Sequence, residues 1–151
     1  MRIAIVLAAT AALLAAADPA RACRCLPPPP PLEELADSDA VFSGTVAAVE
    51  LDETGLVRHI KFEVANCWKG GVGALVEIQT SASGASCGRG FVIGVEYLVY
   101  ATGPGGALHV SLCDRTKRLE FAQEDLGALG EPHCTTPVLP NTWSGMKRIY
   151  E

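Results

Sequence analysis

The sequence predicts an all-β domain: a small barrel of five short strands with one short helix, stapled by disulfides. Three observations predict it. Apolar and polar residues alternate with period two over several short stretches, most clearly Ile60, Phe62 and Val64 against Lys61 and Glu63. Turns rich in glycine, proline and aspartate separate those stretches. The cysteines number six, at 23, 25, 67, 87, 113 and 134, an even count that reads as three bridges in a small exported domain.

Met1-Arg2 opens the 151-residue chain with a charge, and an apolar run follows from Ile3 to Ala17. That run is about 15 residues, short of the ~20 that span a bilayer. Ala20-Arg21-Ala22 has the small-x-small form that a signal peptidase reads. Residues 1–22 are therefore expected to be a removed signal peptide, and the product to be secreted or periplasmic. A lipid on Cys23 is the rival processing, but a lipobox wants Leu or a similar residue three before the cysteine, where Ala20 stands.

Cleavage after Ala22 leaves 129 residues, one domain's worth, with 10 Lys/Arg against 16 Asp/Glu and a formal charge of −6. That balance argues against nucleic acid and anionic lipid as partners. All six cysteines lie after the cut. Cys23 and Cys25 are too close to bridge each other without strain, which leaves 12 of 15 pairings open.

After Leu26, Pro27 to Pro31 force an extended polyproline rod, expected to hold the Cys23–Cys25 edge away from the body. Leu32 to Ala36 is long enough for one helical turn. Asp39 to Leu51 reads as a strand with Phe42, Gly44, Val46 and Ala48 on one face, Gly44 marking a bend or bulge. Asp52-Glu53-Thr54-Gly55 is a hairpin turn, and Leu56 to Trp68 is the next strand. Gly70-Gly71-Val72-Gly73 lacks the Gly-Lys-Ser/Thr ending of a phosphate loop and reads as a hairpin connection. Ala74 to Thr80 is a strand. Ser81 to Gly90 is a polar loop carrying Cys87-Gly88. Gly94 to Ala101 is a strand, and Ala107 to Cys113 another, with Leu108, Val110 and Leu112 inward. A helix over Ala122 to Leu129 stops at Gly130. Residues 131–151 form a tail without periodicity. Five strands at this spacing suggest a closed barrel of the OB type; a β-sandwich would want about seven.

Catalysis is weakly supported, and the protein is not expected to be an enzyme. Ser144 in Trp143-Ser144-Gly145 lacks the first glycine of a nucleophile elbow. His59 and His109 fall on outward strand positions. Glu33-Glu34, Asp37 and Asp39 read as solvated loop charges. His133-Cys134 and Cys113 have no metal-ligand spacing, and no cofactor is expected.

Cys23-Arg24-Cys25 carries the chemistry. Its plain reading is a disulfide anchor for the N-terminus. Its sharper reading is a chelate: as the first residue, Cys23 would offer a free α-amine and its own carbonyl oxygen, two donors in one five-membered ring.

Several pieces in order resemble a known family. These are Cys23-x-Cys25 with Pro-Pro after it, Ser38-Asp39 before a strand, Phe62-Glu63-Val64 leading to Trp68-Lys69-Gly70, Cys87-Gly88, Glu96-Tyr97-Leu98-Val99, and Gly106 to Cys113. Over about residues 23–130 the chain resembles the N-terminal domain of the tissue inhibitors of metalloproteinases, within the netrin-like group, and its short bacterial members most. The resemblance implies an OB-like β-barrel. It implies bridges Cys23–Cys87 and Cys25–Cys113, which leaves Cys67 with Cys134. It implies a monomer that inhibits a zinc metalloendopeptidase, Cys23 ligating the target's catalytic zinc in trans. The inhibitory ridge would be Cys23, Arg24, Cys25 and Leu26 with Ser86, Cys87 and Gly88. A netrin-like module that binds another partner and inhibits nothing is the alternative. The chain departs from the family where Ala36 replaces a cysteine and where Arg24 replaces a usual Thr or Ser.

Overall fold

The computed structural model describes residues 23–103 and 106–134. The expected signal peptide at 1–22, and tail residues 135–151 with Trp143-Ser144-Gly145, lie outside the described residues.

Six strands form one sheet: β1 (Ala40–Leu51), β2 (Val57–Lys69), β3 (Leu75–Ser81), β4 (Glu96–Ala101), β5 (Leu108–His109) and β6 (Lys117–Arg118). Their order is β5-β3-β2-β1-β4-β6. The β3–β5 pair is parallel and the others are antiparallel. The sheet curls into a half-barrel. Register slips at Val41/Phe42, Ser43/Gly44 and Val46/Ala48 bend β1 against β2. At Gly44 the two backbones come so close that a Cβ would stand 2.6 Å from the Glu63 carbonyl oxygen. The curl brings β5 round to the residue after β4. The Thr102 N–H donates to the His109 carbonyl at 3.0 Å, and the His109 N–H returns the bond at 2.7 Å.

Two helices flank the sheet, α1 (Pro31–Asp37) and α2 (Gln123–Leu129). Pro31 takes the first helical position, where its missing N–H costs nothing. α1 is thus longer than the single expected turn. α2 ends at Gly130, whose φ of +67° suits glycine and whose N–H caps the Leu126 carbonyl.

Each sheet face has its own apolar cluster. Inside the curl lie Phe42, Val46, Ile60, Phe62, Ile78 and Val99. Phe62 meets Phe42 and Phe91 edge-on at centroid distances of 5.5 and 5.6 Å. Outside it, Val41, Trp68, Leu98 and Tyr100 are covered by Ala122 and Leu129, with Leu35 packed against them. β1 and β4 are therefore buried on both faces at one end, which is why Ala40-Val41-Phe42 and Tyr97 to Ala101 do not alternate.

Two sequence expectations need correction. Among the described residues the strands number six, not five. β6 exists because the Thr116 hydroxyl accepts the Tyr100 N–H at 3.0 Å, laying Lys117-Arg118 beside Tyr97-Leu98. The strand expected over Ala107 to Cys113 keeps only Leu108–His109 as a ladder. Asp114 accepts backbone N–H groups from Ser111 and Thr116, which turns the chain, and Leu112 ends 46% exposed.

Three disulfides tie the ends down: Cys23–Cys87, Cys25–Cys113 and Cys67–Cys134. Cys67 is fully buried, its carbonyl accepts the N–H groups of His133 and Cys134 at 3.1 Å, and the Trp68 indole donates to Gly130 at 2.8 Å. No helix among the described residues is long and apolar enough to cross a membrane.

Candidate functional site

Residues 23–30 carry no regular secondary structure, so packing alone cannot place them. Covalent bonds do. Cys23 is bonded to Cys87 and Cys25 to Cys113, with Cα–Cα separations of 5.3 and 5.0 Å. The two bridges lie side by side, the Cys23 and Cys113 Sγ atoms being 3.9 Å apart. Arg24 is thereby held between two anchored neighbours. It is exposed and has no ion-pair partner among the described residues. Leu26 is 84% exposed.

The loop under Cys23 is built tightly. A single 3-10 turn, Gly84–Ser86, is capped by the Ser83 hydroxyl, which accepts the Ala85 N–H at 3.1 Å. Cys87 follows in the left-handed region at φ 59°, unusual for a residue with a Cβ. Gly88 donates its N–H to the Ser83 carbonyl at 2.9 Å and is buried; a Cβ there would overlap the Ser81 carbonyl. Of the expected ridge, Arg24, Cys25, Leu26 and Ser86 are exposed and Cys23 and Cys87 half-buried, while Gly88 lies beneath them.

Two arginines that sequence reasoning missed lock this edge to the body. Arg89 follows the Cys87 loop and reaches the Cys113 loop. Its Nε donates to the Ser111 carbonyl at 3.0 Å, and its Nη2 to those of Leu112 and Asp114 at 3.2 and 3.1 Å. Burial lowers the Arg89 pKa, Asp114 works against that, and an arginine stays charged regardless. The Leu112 N–H adds a 2.7 Å bond to the Cys87 carbonyl. The loops holding the two bridges are therefore tied directly to each other.

Arg115 does the same for the proline run. Its Nη1 donates to the Pro29 carbonyl at 2.7 Å, and its Nε donates to Asp125 at 2.7 Å. The fully buried Asp125 carboxylate also accepts from Lys117 Nζ at 2.6 Å and from the Tyr100 hydroxyl at 3.1 Å. Burial works to raise the Asp125 pKa, but Arg115 and Lys117 together hold it below its ordinary value. Burial and Asp125 push the Tyr100 phenol up. The rod expected to project is thus laid against the body, with Pro31 buried. Arg89 carries no local sequence signal. Asp125 does: it falls on the apolar stripe of Ala122, Leu126 and Leu129, where an acid needs a buried partner.

The other candidates do not assemble. The Sγ atoms of Cys23, Cys87 and Cys113 lie within 4.8 Å of one another, but every cysteine is bridged and offers no thiolate to a metal. The His59 ring, half-buried, bonds Glu77 at 2.7 Å, and His109 is exposed. One cleft is lined by Val95, Glu96, Leu119, Glu120 and Leu126, and a second runs beside Asp39, Val72 and Leu108; neither brings a nucleophile to a base.

Comparison with protein-family models gives no match, and comparison with curated proteins gives none either.

Proposed function

We propose that this chain is an exported, single-domain inhibitor of a zinc metalloendopeptidase, acting through Cys23. The observation that carries the reading is the double pinning of Cys23-Arg24-Cys25 by adjacent disulfides, with Arg24 and Leu26 exposed. Cleavage after Ala22 makes Cys23 the first residue. Its α-amine has an ordinary pKa near 8, so a fair fraction is neutral at pH 7–8 and can donate to zinc. Its carbonyl oxygen closes a five-membered chelate. A catalytic zinc keeps one position open for the water that attacks substrate, and the chelate displaces that water. The metal belongs to the partner; this chain supplies the two donors. Arg24 then enters the enzyme's pocket, and Ser86 and Cys87 flank it, with Gly88 shaping the loop from below. Three disulfides fit an oxidising compartment, secreted or periplasmic.

The strand connectivity supports an OB-type barrel. The sequence β1-β2-β3-β5-β4 forms a ring when the Thr102–His109 bridge is counted, with β6 outside it.

The test compares protein starting at Cys23 with a twin carrying one extra N-terminal Ala. The first should inhibit members of a panel of zinc endopeptidases and the twin should not, because an amide nitrogen is a poor donor. Equal inhibition by both would sink the chelate. Inactivity of both would favour the netrin-like binding module.

A further inference from the structure

We infer that the enzyme this edge fits has a carboxylate in the pocket beside its zinc, and so cuts on the N-terminal side of arginine or lysine. The inference rests on the zinc-chelating role of Cys23 and names the partner that role requires. If the Cys23 carbonyl sits on the metal, it occupies the place of the scissile carbonyl. The next Cα is 3.8 Å further along the chain, so residue 24 must occupy the pocket for the substrate residue after the cut. In this protein that residue is a guanidinium. Its position is not free to change, because Cys23 and Cys25 on either side are both bridged to the body. No acid among the described residues pairs with it, so its donors are open to a partner's carboxylate once the edge is covered.

An apolar pocket would have to bury this cation unpaired, which is strongly unfavourable. A pocket carboxylate would instead meet the planar fork of donors with two parallel bonds, the geometry in which arginine excels. The setting favours one cation over general charge attraction. The mature chain is acidic overall, with a formal charge of −6, so Arg24 is a local exception on the edge that leads. Leu26, two residues along the edge, and Leu112, next to the Cys113 that bonds Cys25, are exposed and apolar, matching a pocket whose rim is apolar and whose floor is acidic.

The test uses the protein starting at Cys23, its Arg24→Leu and Arg24→Glu variants, and the Ala-extended twin. All are confirmed by disulfide mapping. They are titrated against two groups of zinc endopeptidases, one preferring Arg or Lys after the scissile bond and one preferring Leu or Phe. The unmodified protein should inhibit the first group at least about tenfold more tightly, a difference of about 1.4 kcal/mol. Arg24→Leu should reverse that order, and Arg24→Glu should weaken inhibition of the first group most. Equal inhibition of both groups, or an Arg24→Leu variant within about twofold of the parent throughout, overturns the acidic pocket. If the Ala-extended twin still loses inhibition in that case, the chelate survives and only the pocket assignment falls. If the twin inhibits as well as the parent, or no protein inhibits either group, the chelate and the pocket fall together.

Discussion

Replacing Asp125 with alanine would leave the buried Arg115 guanidinium without its buried counter-charge, with only the solvent-exposed Glu124 carboxylate nearby. The Asp125 side chain is wholly buried, and it takes two bonds from Arg115 at 2.7 and 3.3 Å. The Arg115 side chain is itself only 8% exposed. Breaking a buried pair by removing one partner costs about 3–5 kcal/mol, since the remaining charge stays desolvated. Lys117, at 29% exposure, can turn to water and adds little to that loss. Urea unfolding of the disulfide-intact protein, followed by Trp fluorescence, measures it. The midpoint should fall with the slope unchanged. Glu124→Ala is the internal control: its carboxylate lies 3.4 Å from the same guanidinium but is 74% exposed, so its loss should cost less than about 1 kcal/mol. An Asp125→Ala loss no larger than that of Glu124→Ala would refute the reasoning. The pH dependence has a definite sign. The folded pKa of Asp125 lies below its ordinary value, so its contribution is complete above that ordinary value and is lost as pH falls through the lower folded one. Asp125→Asn should therefore remove part of the acid-side decline in stability below about pH 4, the ordinary range for aspartate.

Two further predictions follow from the packing. Gly88→Ala places a Cβ into the Ser81 backbone, so the Cys87 loop must shift; thermal unfolding should show a loss of about 1–3 kcal/mol or more. Gly84→Ala in the same loop meets open space and should change stability little. Removing the Cys67–Cys134 bridge with paired serines frees a crosslink spanning 67 residues, and denaturant unfolding should register a loss of up to about 4 kcal/mol in the chain-entropy picture.

The middle of β2 was legible because its burial follows its alternation: Ile60 and Phe62 are completely buried while Glu63 is exposed; further on the alternation breaks, with Cys67 and Trp68 both buried. β6 was not, because two residues have no period and their pairing depends on a hydroxyl of Thr116 reaching β4. The outer apolar cluster was hidden for a related reason. Val41, Leu98 and Tyr100 read as parts of strands, but only their contact with Ala122 and Leu129 shows that both faces are used. Leu112 was misread because alternation continued past the point where Asp114 turns the chain. At the candidate site, spacing left 12 cysteine pairings open; the structure has the pairs that the family resemblance implies, including Cys67 with Cys134 despite Ala36. Arg89 escaped notice because its hydrogen bonds go to backbone carbonyls, which no sequence pattern marks, and Arg115 because it joins two separated segments, the Asp125 carboxylate and the Pro29 carbonyl.

Those two arginines bear on why the edge can be both exposed and ordered. Residues 24–28 are exposed, so burial contributes little to their position. Ordering a residue's backbone costs about 1–2 kcal/mol, so fixing residues 23–26 at the moment of binding would cost about 4–8 kcal/mol. By affinity arithmetic that is about three to six orders of magnitude in Kd. Here two disulfides, the Arg89 bonds between their loops and the Arg115 bond to Pro29 meet that cost during folding. If the edge binds as proposed, four residues can do so tightly through few contacts, because most of what binding would have to order is already ordered. Arg24 is the exception: its backbone is fixed while its side chain is exposed, so under the proposed function the entropy left to lose on binding is concentrated in the one side chain that would enter the partner's pocket.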